Sequence, residues 1–236
     1  MRGRETGVFG LLLAQDGRPA DRATVAAPMP TAFVTGGSGF IGGALVRRLL
    51  ADGVGVRALV RSDASARAVR DAGAQPVPGD PVAMALGADG CDVAIHCAAR
   101  VGDWGPREEF EAVNVGGTRR AIDACARAGV RRFVHVGTEA ALRAGEPLVH
   151  ADERVPLRFD PPVPYCATKA GAEEAAWRAL PLRGRPPLTR VAVWLSGLQA
   201  TINISGARTE LGHAPVRTVD EGLAELAAEE GRGEQR

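Results

Sequence analysis

From Thr31 onward, short apolar runs rich in β-branched residues alternate with longer segments in which Leu, Val and Ala recur at three- and four-residue steps. The first pattern is that of strands buried on both faces, the second that of amphipathic helices, and their alternation marks consecutive βαβ units around a parallel sheet. The pattern predicts strands at Thr31–Thr35, Val54–Val60, Gln75–Pro78, Val93–Cys97, Arg132–Val136 and Val191–Val193, and helices at Ile41–Ala51, Ala64–Ala72, Phe110–Ala128 and Pro164–Leu180. Gly53, Gly73 and Gly129 each fall just past a helix, where a left-handed cap suits a residue without Cβ. The expected fold class is α/β, a doubly wound parallel sheet, with no internal repeat.

The first loop carries the clearest chemistry. Val34-Thr35-Gly36-Gly37-Ser38-Gly39-Phe40-Ile41-Gly42 joins the first strand to the first helix and satisfies both G-x-G-x-x-G and G-x-x-G-x-x-G. In that context the glycines let the backbone turn sharply and admit a pyrophosphate, which meets the helix N-terminus beginning at Phe40 and Ile41. Gly36 and Gly39 suit the turn and the close approach, and Gly42 suits packing of helix on strand. The second strand ends in Val60-Arg61-Ser62, where a dinucleotide fold commonly has an acidic residue for the ribose 2′-hydroxyl. An Arg there points to a 2′-phosphate, so NADP(H) is favoured over NAD(H); a solvated Arg in an Arg-biased chain is the alternative. Asp80, at the C-terminal edge of the third strand, could accept a hydrogen bond from an adenine amino group or serve as a turn or cap.

Composition sharpens this picture in one place. The 236 residues are 45% hydrophobic and 24% charged, and 29 basic against 28 acidic side chains leave a net charge of +1, so no overall field favours nucleic acid or an anionic membrane. No apolar run approaches the ~20 residues of a membrane span. Cys91, Cys97, Cys125 and Cys166 form no C-x-x-C pair and lie in predicted strands and helices, which fits a reducing cytoplasm better than a disulfide scaffold. Of the 29 basic residues 28 are Arg; the only Lys is Lys169, and the only Tyr is Tyr165.

Tyr165-Cys-Ala-Thr-Lys169 opens a helix, and the four-residue spacing puts phenol and ammonium on one face, one turn apart. An adjacent ammonium favours the phenolate and makes Tyr usable as an acid or base. Retention of a single Lys where Arg serves everywhere else indicates a compact cation whose three donors reach several acceptors. His96 and His135 fall on strands without a third ligand at useful spacing and read as core residues, not metal ligands.

Taken in order, these motifs resemble an extended short-chain dehydrogenase/reductase of the NAD-dependent epimerase/dehydratase family, from Thr31 to about Val193. Ala98-Ala99-Arg100-Val101-Gly102-Asp103-Trp104-Gly105-Pro106, with Phe110 and Val113-Asn114-Val115-Gly116-Gly117-Thr118, is similar to the 3β-hydroxysteroid dehydrogenase-like branch. The resemblance implies a Rossmann fold. It makes Tyr165 the catalytic acid/base with Lys169 as partner, and sets Thr138 to bind the substrate oxygen. It also places Ala98 and Ala99 beside the adenosine and nicotinamide ribose, and gives Asn114 the task of fixing backbone or water.

The implied reaction is reversible hydride transfer between nicotinamide and a secondary alcohol or ketone, steroid-like in this branch. Sugar-nucleotide epimerisation or dehydration, and a non-catalytic cofactor-binding remnant, stay open. After Val193 the family pattern fails: Trp194-Leu195-Ser196-Gly197-Leu198 does not match, and Thr201 to Leu223 looks like the family's extreme C-terminal segment. The expected organisation is a disordered leader over 1–30, a cofactor domain over 31–195, a remnant of the substrate lobe over 196–228 and a polar tail over 229–236. The expected partner is a small molecule, with neither nucleic acid nor membrane, and a homodimer stays open.

Overall fold

The structure, a computed structural model, describes residues 29–79, 81–143, 148–151, 154–179 and 200–202, with isolated positions 205, 208, 209, 212, 221 and 224. Five strands form one parallel sheet: β1 (Thr31–Thr35), β2 (Gly55–Val60), β3 (Gln75–Pro78), β4 (Val93–His96) and β5 (Arg132–His135), in the order β3-β2-β1-β4-β5. The chain winds outward from β1 to β3, then returns to lay β4 on the other side of β1. This reversal opens a crevice at the C-terminal ends of β1 and β4, where doubly wound sheets bind ligands.

All five strands fall within one residue of the sequence expectation at each end, and β1 and β3 agree at both. The expected strand Val191–Val193 lies outside the described residues. A second, two-stranded sheet pairs β6 (Leu148–Ala151) in parallel with β7 (Ala200–Ile202), and neither strand was expected.

Alternation along β1 explains the layers. Ala32 and Val34 face α1 (Phe40–Ala51) and α2 (Asp63–Asp71) in a core with Val46, Leu49, Val56 and Val69, while Phe33 faces the opposite layer with Val77, Met84, Ala94 and Ala121. That second layer is built by α3 (Pro81–Ala88) and α5 (Gly116–Arg127). The expected helix Phe110–Ala128 starts three residues earlier, as α4 (Arg107–Phe110), and passes through a π turn at Glu111–Val115 before continuing as α5. The last described helix, α6 (Pro164–Ala179), packs against α5 and the π turn, where Gly171 keeps its backbone close: a Cβ there would stand 3.1 Å from Val115. Gly53, Gly73 and Gly129 have positive φ, as their positions after helices led us to expect.

Among the described residues no helix is long and apolar enough to cross a membrane, and no group of three or more His, Cys, Asp or Glu side chains could hold a metal ion.

Candidate active site

The glycine loop closes against the end of β4. Gly36 sits at φ +73°, and a Cβ on it would lie 2.8 Å from the Ala98 amide nitrogen, so only glycine allows the loop and the Cys97-Ala98 segment to pass this closely. Gly42 lies on the first turn of α1, and a Cβ there would overlap the Gly36 carbonyl oxygen. Gly39 caps α1 with no side-chain bond to the helix amides, which leaves the N-terminal N–H groups without a side-chain cap. Phe40 is exposed at that edge and Ile41 is half-buried behind it.

Arg61 is exposed immediately after β2, and its backbone is fixed by an N–H donated to Ser65 Oγ at 3.2 Å, next to the Ser62/Ser65 capping box of α2. Gly79 comes within 3.1 Å, measured from a built Cβ, of the Arg61 stem, so the third strand's end abuts this side chain. Asp80 lies outside the described residues.

A chain of hydrogen bonds ties the ends of β1 and β4 to the π turn. Thr118 donates to the Asn114 carbonyl at 2.7 Å, so its oxygen must accept from His96 Nε2 at 3.1 Å. His96 Nδ1 then accepts from Thr35 Oγ1 at 2.7 Å, and Thr35 Oγ1 in turn accepts the Ala98 N–H at 3.3 Å. These bonds fix one tautomer of a neutral imidazole. Burial and the nearby Lys169 charge push its pKa down to about 3. His96 is a satisfied core residue, as read from the sequence, and it holds the Ala98-Ala99 segment against the glycine loop.

Asn114, buried on the π turn, accepts from the Arg100 N–H at 2.7 Å and donates to the Arg100 carbonyl at 3.1 Å and to Thr168 Oγ1 at 3.0 Å. One amide thus clamps the loop after β4 and anchors it to α6. Arg100 also stacks over Phe110, with 4.9 Å from guanidinium carbon to ring centroid, and pairs with Glu109 at 2.8 Å.

The end of β5 meets the start of α6 at the Tyr165 phenol, which lies near enough to Thr138 for that hydroxyl to influence its pKa. Thr138 Oγ1 donates to Glu139 Oε2 at 3.1 Å and accepts the Ala140 N–H at 3.2 Å.

Burial raises the Tyr165 pKa above its ordinary value, the Thr138 hydroxyl pulls the other way, and Glu139 adds to the rise. This corrects the expectation that Lys169 lowers it. The ammonium is turned away, donating to the Val136 carbonyl at 2.8 Å and lying 3.4 Å from His135 Nε2. Lys169 is buried, and desolvation lowers its pKa to about 8 against the opposing pull of Glu173.

Glu139 was missed from sequence. It stands next to Thr138, but Glu-Ala-Ala-Leu carries no period, and only the short 3₁₀ turn at Glu139–Leu142 buries it, 3.8 Å from the Arg143 guanidinium.

Known proteins resemble this chain in sequence and fold. The model of the NAD dependent epimerase/dehydratase family matches residues 32–184. A 4-hydroxy-2-methyl-3-oxo-4-farnesyl-3,4-dihydroquinoline-1-oxide ketoreductase of Stigmatella aurantiaca is 44% identical over 150 residues, covering 62% of this chain and 45% of that protein. A 3 beta-hydroxysteroid dehydrogenase/Delta 5-->4-isomerase of Mycobacterium tuberculosis is 33% identical over 163 residues, covering 64% and 43%. Among solved structures, a short-chain dehydrogenase/reductase superfamily protein from Agrobacterium tumefaciens with bound NAD superposes with a TM-score of 0.52 at 33% identity, covering 62% of this chain and 44% of that one. The dTDP-glucose 4,6-dehydratase DesIV from Streptomyces venezuelae, with NAD and TYD bound, gives 0.53 at 30% identity, covering 62% and 50%. The chain thus spans less than half the length of these two curated relatives.

Proposed function

This chain belongs to the NAD dependent epimerase/dehydratase family, and on that premise we propose that it is a nicotinamide-dependent oxidoreductase acting on a secondary alcohol or ketone. The observation that carries the reading is the Tyr165 phenol beside Thr138 at the end of β5, on the helix whose next turn buries the chain's only ammonium.

The residues present fit a dinucleotide. The Gly36–Gly42 turn is a cradle that side chains would fill, and the bare N-terminus of α1 offers N–H donors to a pyrophosphate. Ala98 and Ala99 would border the ribose next to the nicotinamide, Lys169 would reach its hydroxyls, and Arg61 would meet a 2′-phosphate, which favours NADP(H) over NAD(H). The bound nicotinamide supplies or accepts the hydride.

The chain's own part is proton transfer and alignment. Tyr165 gives its phenol proton to the forming alcohol oxygen, or takes one from the alcohol in the reverse direction. Thr138 sits within bonding reach of the same phenol and orients the substrate oxygen. A ketone within a polycyclic or isoprenoid-bearing apolar molecule is the substrate class favoured by the ketoreductase and steroid dehydrogenase relatives. Sugar-nucleotide chemistry is the second reading, favoured by the likeness to DesIV. Four unpaired cysteines, with the Cys97 thiol pushed up to about 11 and the Cys125 thiol to about 12 by burial, fit a cytoplasmic setting.

Tyr165→Phe tests the reading. Turnover of a ketone panel with NADPH should fall by roughly 10²–10⁴-fold, with cofactor affinity unchanged within a few-fold. Activity close to the parent's would sink the assignment of Tyr165. Titrating NADPH and NADH into the parent and into Arg61→Ala tests the cofactor choice: the parent should prefer NADPH and the variant should lose that preference, whereas equal affinities in the parent make Arg61 a bystander.

A further inference from the structure

Lys169 is only 4% exposed and Glu173 only 3%, and they lie one turn apart on α6, both turned toward the end of β5. A buried ammonium is expensive unless a charge or strong acceptors compensate it. The acceptors here are the Val136 carbonyl and the neutral imidazole of His135, whose own pKa burial and Lys169 hold down at about 2.

The other groups facing Lys169 are His96 on β4, neutral for the reasons above, and the Cys97 thiol beyond it, held protonated by burial; Tyr165, one turn back, is turned toward Thr138 and stays a phenol. Glu173 is thus the carboxylate set to balance the charge. Gly137 explains how it fits: a Cβ on that residue would stand 3.2 Å from Glu173 Oε2, tighter than most real contacts, so the bare backbone at the end of β5 leaves the space the carboxylate occupies.

We infer that Glu173 is a positioning residue, the buried counter-charge that keeps Lys169 protonated and aimed at the end of β5, with Gly137 as the seat that admits its carboxylate. The inference rests on Lys169 belonging to the Tyr165 site, and it assigns Glu173 no contact with substrate or cofactor. The direction of the electrostatics agrees, since Glu173 is the largest influence raising the Lys169 pKa against desolvation.

Because Lys169 is the only lysine, protein grown with ¹³C-lysine gives a single ε-carbon resonance whose shift reports this ammonium alone. In the parent its titration midpoint should lie near the value of about 8 that burial imposes. In Glu173→Gln, which keeps the shape and removes the charge, the midpoint should drop by about one unit or more, and the alkaline limb of kcat/KM should move with it. Gly137→Ala, which displaces the carboxylate by a few tenths of an ångström, should lower the midpoint by less.

An unchanged midpoint in folded Glu173→Gln overturns the inference. If that variant does not fold, Gly137→Ala and Glu173→Asp decide: lowered midpoints support the counter-charge, and unchanged ones overturn it. The resonance needs neither cofactor nor turnover, so the two readings fail separately. A coupled Lys169 in a protein whose Tyr165→Phe variant reduces ketones as well as the parent sinks the proposed function alone. An active enzyme with an unmoved midpoint sinks this inference alone.

Discussion

Tyr165 shows what a sequence can and cannot tell about a single residue. Its rank as the only tyrosine, four positions before the only lysine, is legible at once, but the partner it meets is Thr138, and behind Thr138 stands Glu139. Side-chain direction on a helix separates two groups that share a face, and the burial of Glu139 depends on a 3₁₀ turn that carries no periodic signal. Since Glu139 raises the Tyr165 pKa, Glu139→Gln should shift the phenol's absorbance titration to lower pH. With one tyrosine in the chain the assignment is unambiguous, and a titration curve superimposable on the parent's would show that Glu139 exerts no field at the phenol. The glycine loop is the opposite case, because close approach leaves its mark directly in residue type. Gly42→Ala drives a Cβ into the Gly36 carbonyl, so the variant should lose measurable dinucleotide binding in calorimetry; full affinity would mean that the loop opens freely and is no cradle.

Among the elements, those with one polar and one apolar face are the ones the sequence reveals. α1, α2, α5 and the strands of the main sheet all have such a period or a buried β-branched run, and their expected limits agree with the structure to within a residue or two, except at the start of the helix running through α4. α3 does not, because Pro-Val-Ala-Met-Ala-Leu-Gly-Ala has no polar side chain and hence no period to detect. The π turn at Glu111–Val115 is invisible for a different reason: it is one extra residue in a helical ring, selected by what it lets Asn114 reach. That side chain satisfies both backbone groups of Arg100 and the Thr168 hydroxyl at once. Asn114→Ala should therefore cost ~1–3 kcal/mol, the penalty for leaving buried backbone partners unmet, read as a lower denaturant midpoint. Hydrogen exchange should quicken at the Arg100 amide. A variant as stable as the parent, with that amide equally protected, would show that water or a rearranged loop replaces the clamp.

For the molecule as a whole, the sheet order that sets β5 beside β4 also stacks two buried imidazoles. His96 and His135 are paired across β4 and β5, their ring centroids 5.6 Å apart, both buried and both beside the Lys169 ammonium. Their folded pKa values of about 3 and about 2 lie below the ordinary 6.5. Below pH ~6.5 the unfolded chain therefore binds protons that the folded chain refuses, and stability falls as the pH is lowered until the folded values are reached. Each imidazole contributes on the order of 1 kcal/mol per pH unit through this window, and the two act in the same direction. Set against a typical total of roughly 5–15 kcal/mol, two units of acidification are enough to threaten the fold. Lys169 follows the same linkage at the other end: with a folded value of about 8 under an ordinary 10.5, it adds stability as the pH rises between those values. Denaturant melts of the parent from pH 7 down to 4.5 should show this steep loss. Carboxylates elsewhere contribute to any acid transition, so the histidine share is isolated by His135→Gln, whose slope should be shallower by on the order of 1 kcal/mol per unit. Parallel slopes in the parent and the variant would mean that His135 takes up its proton in the folded protein, and that the interior beside Lys169 is wetter than its burial implies.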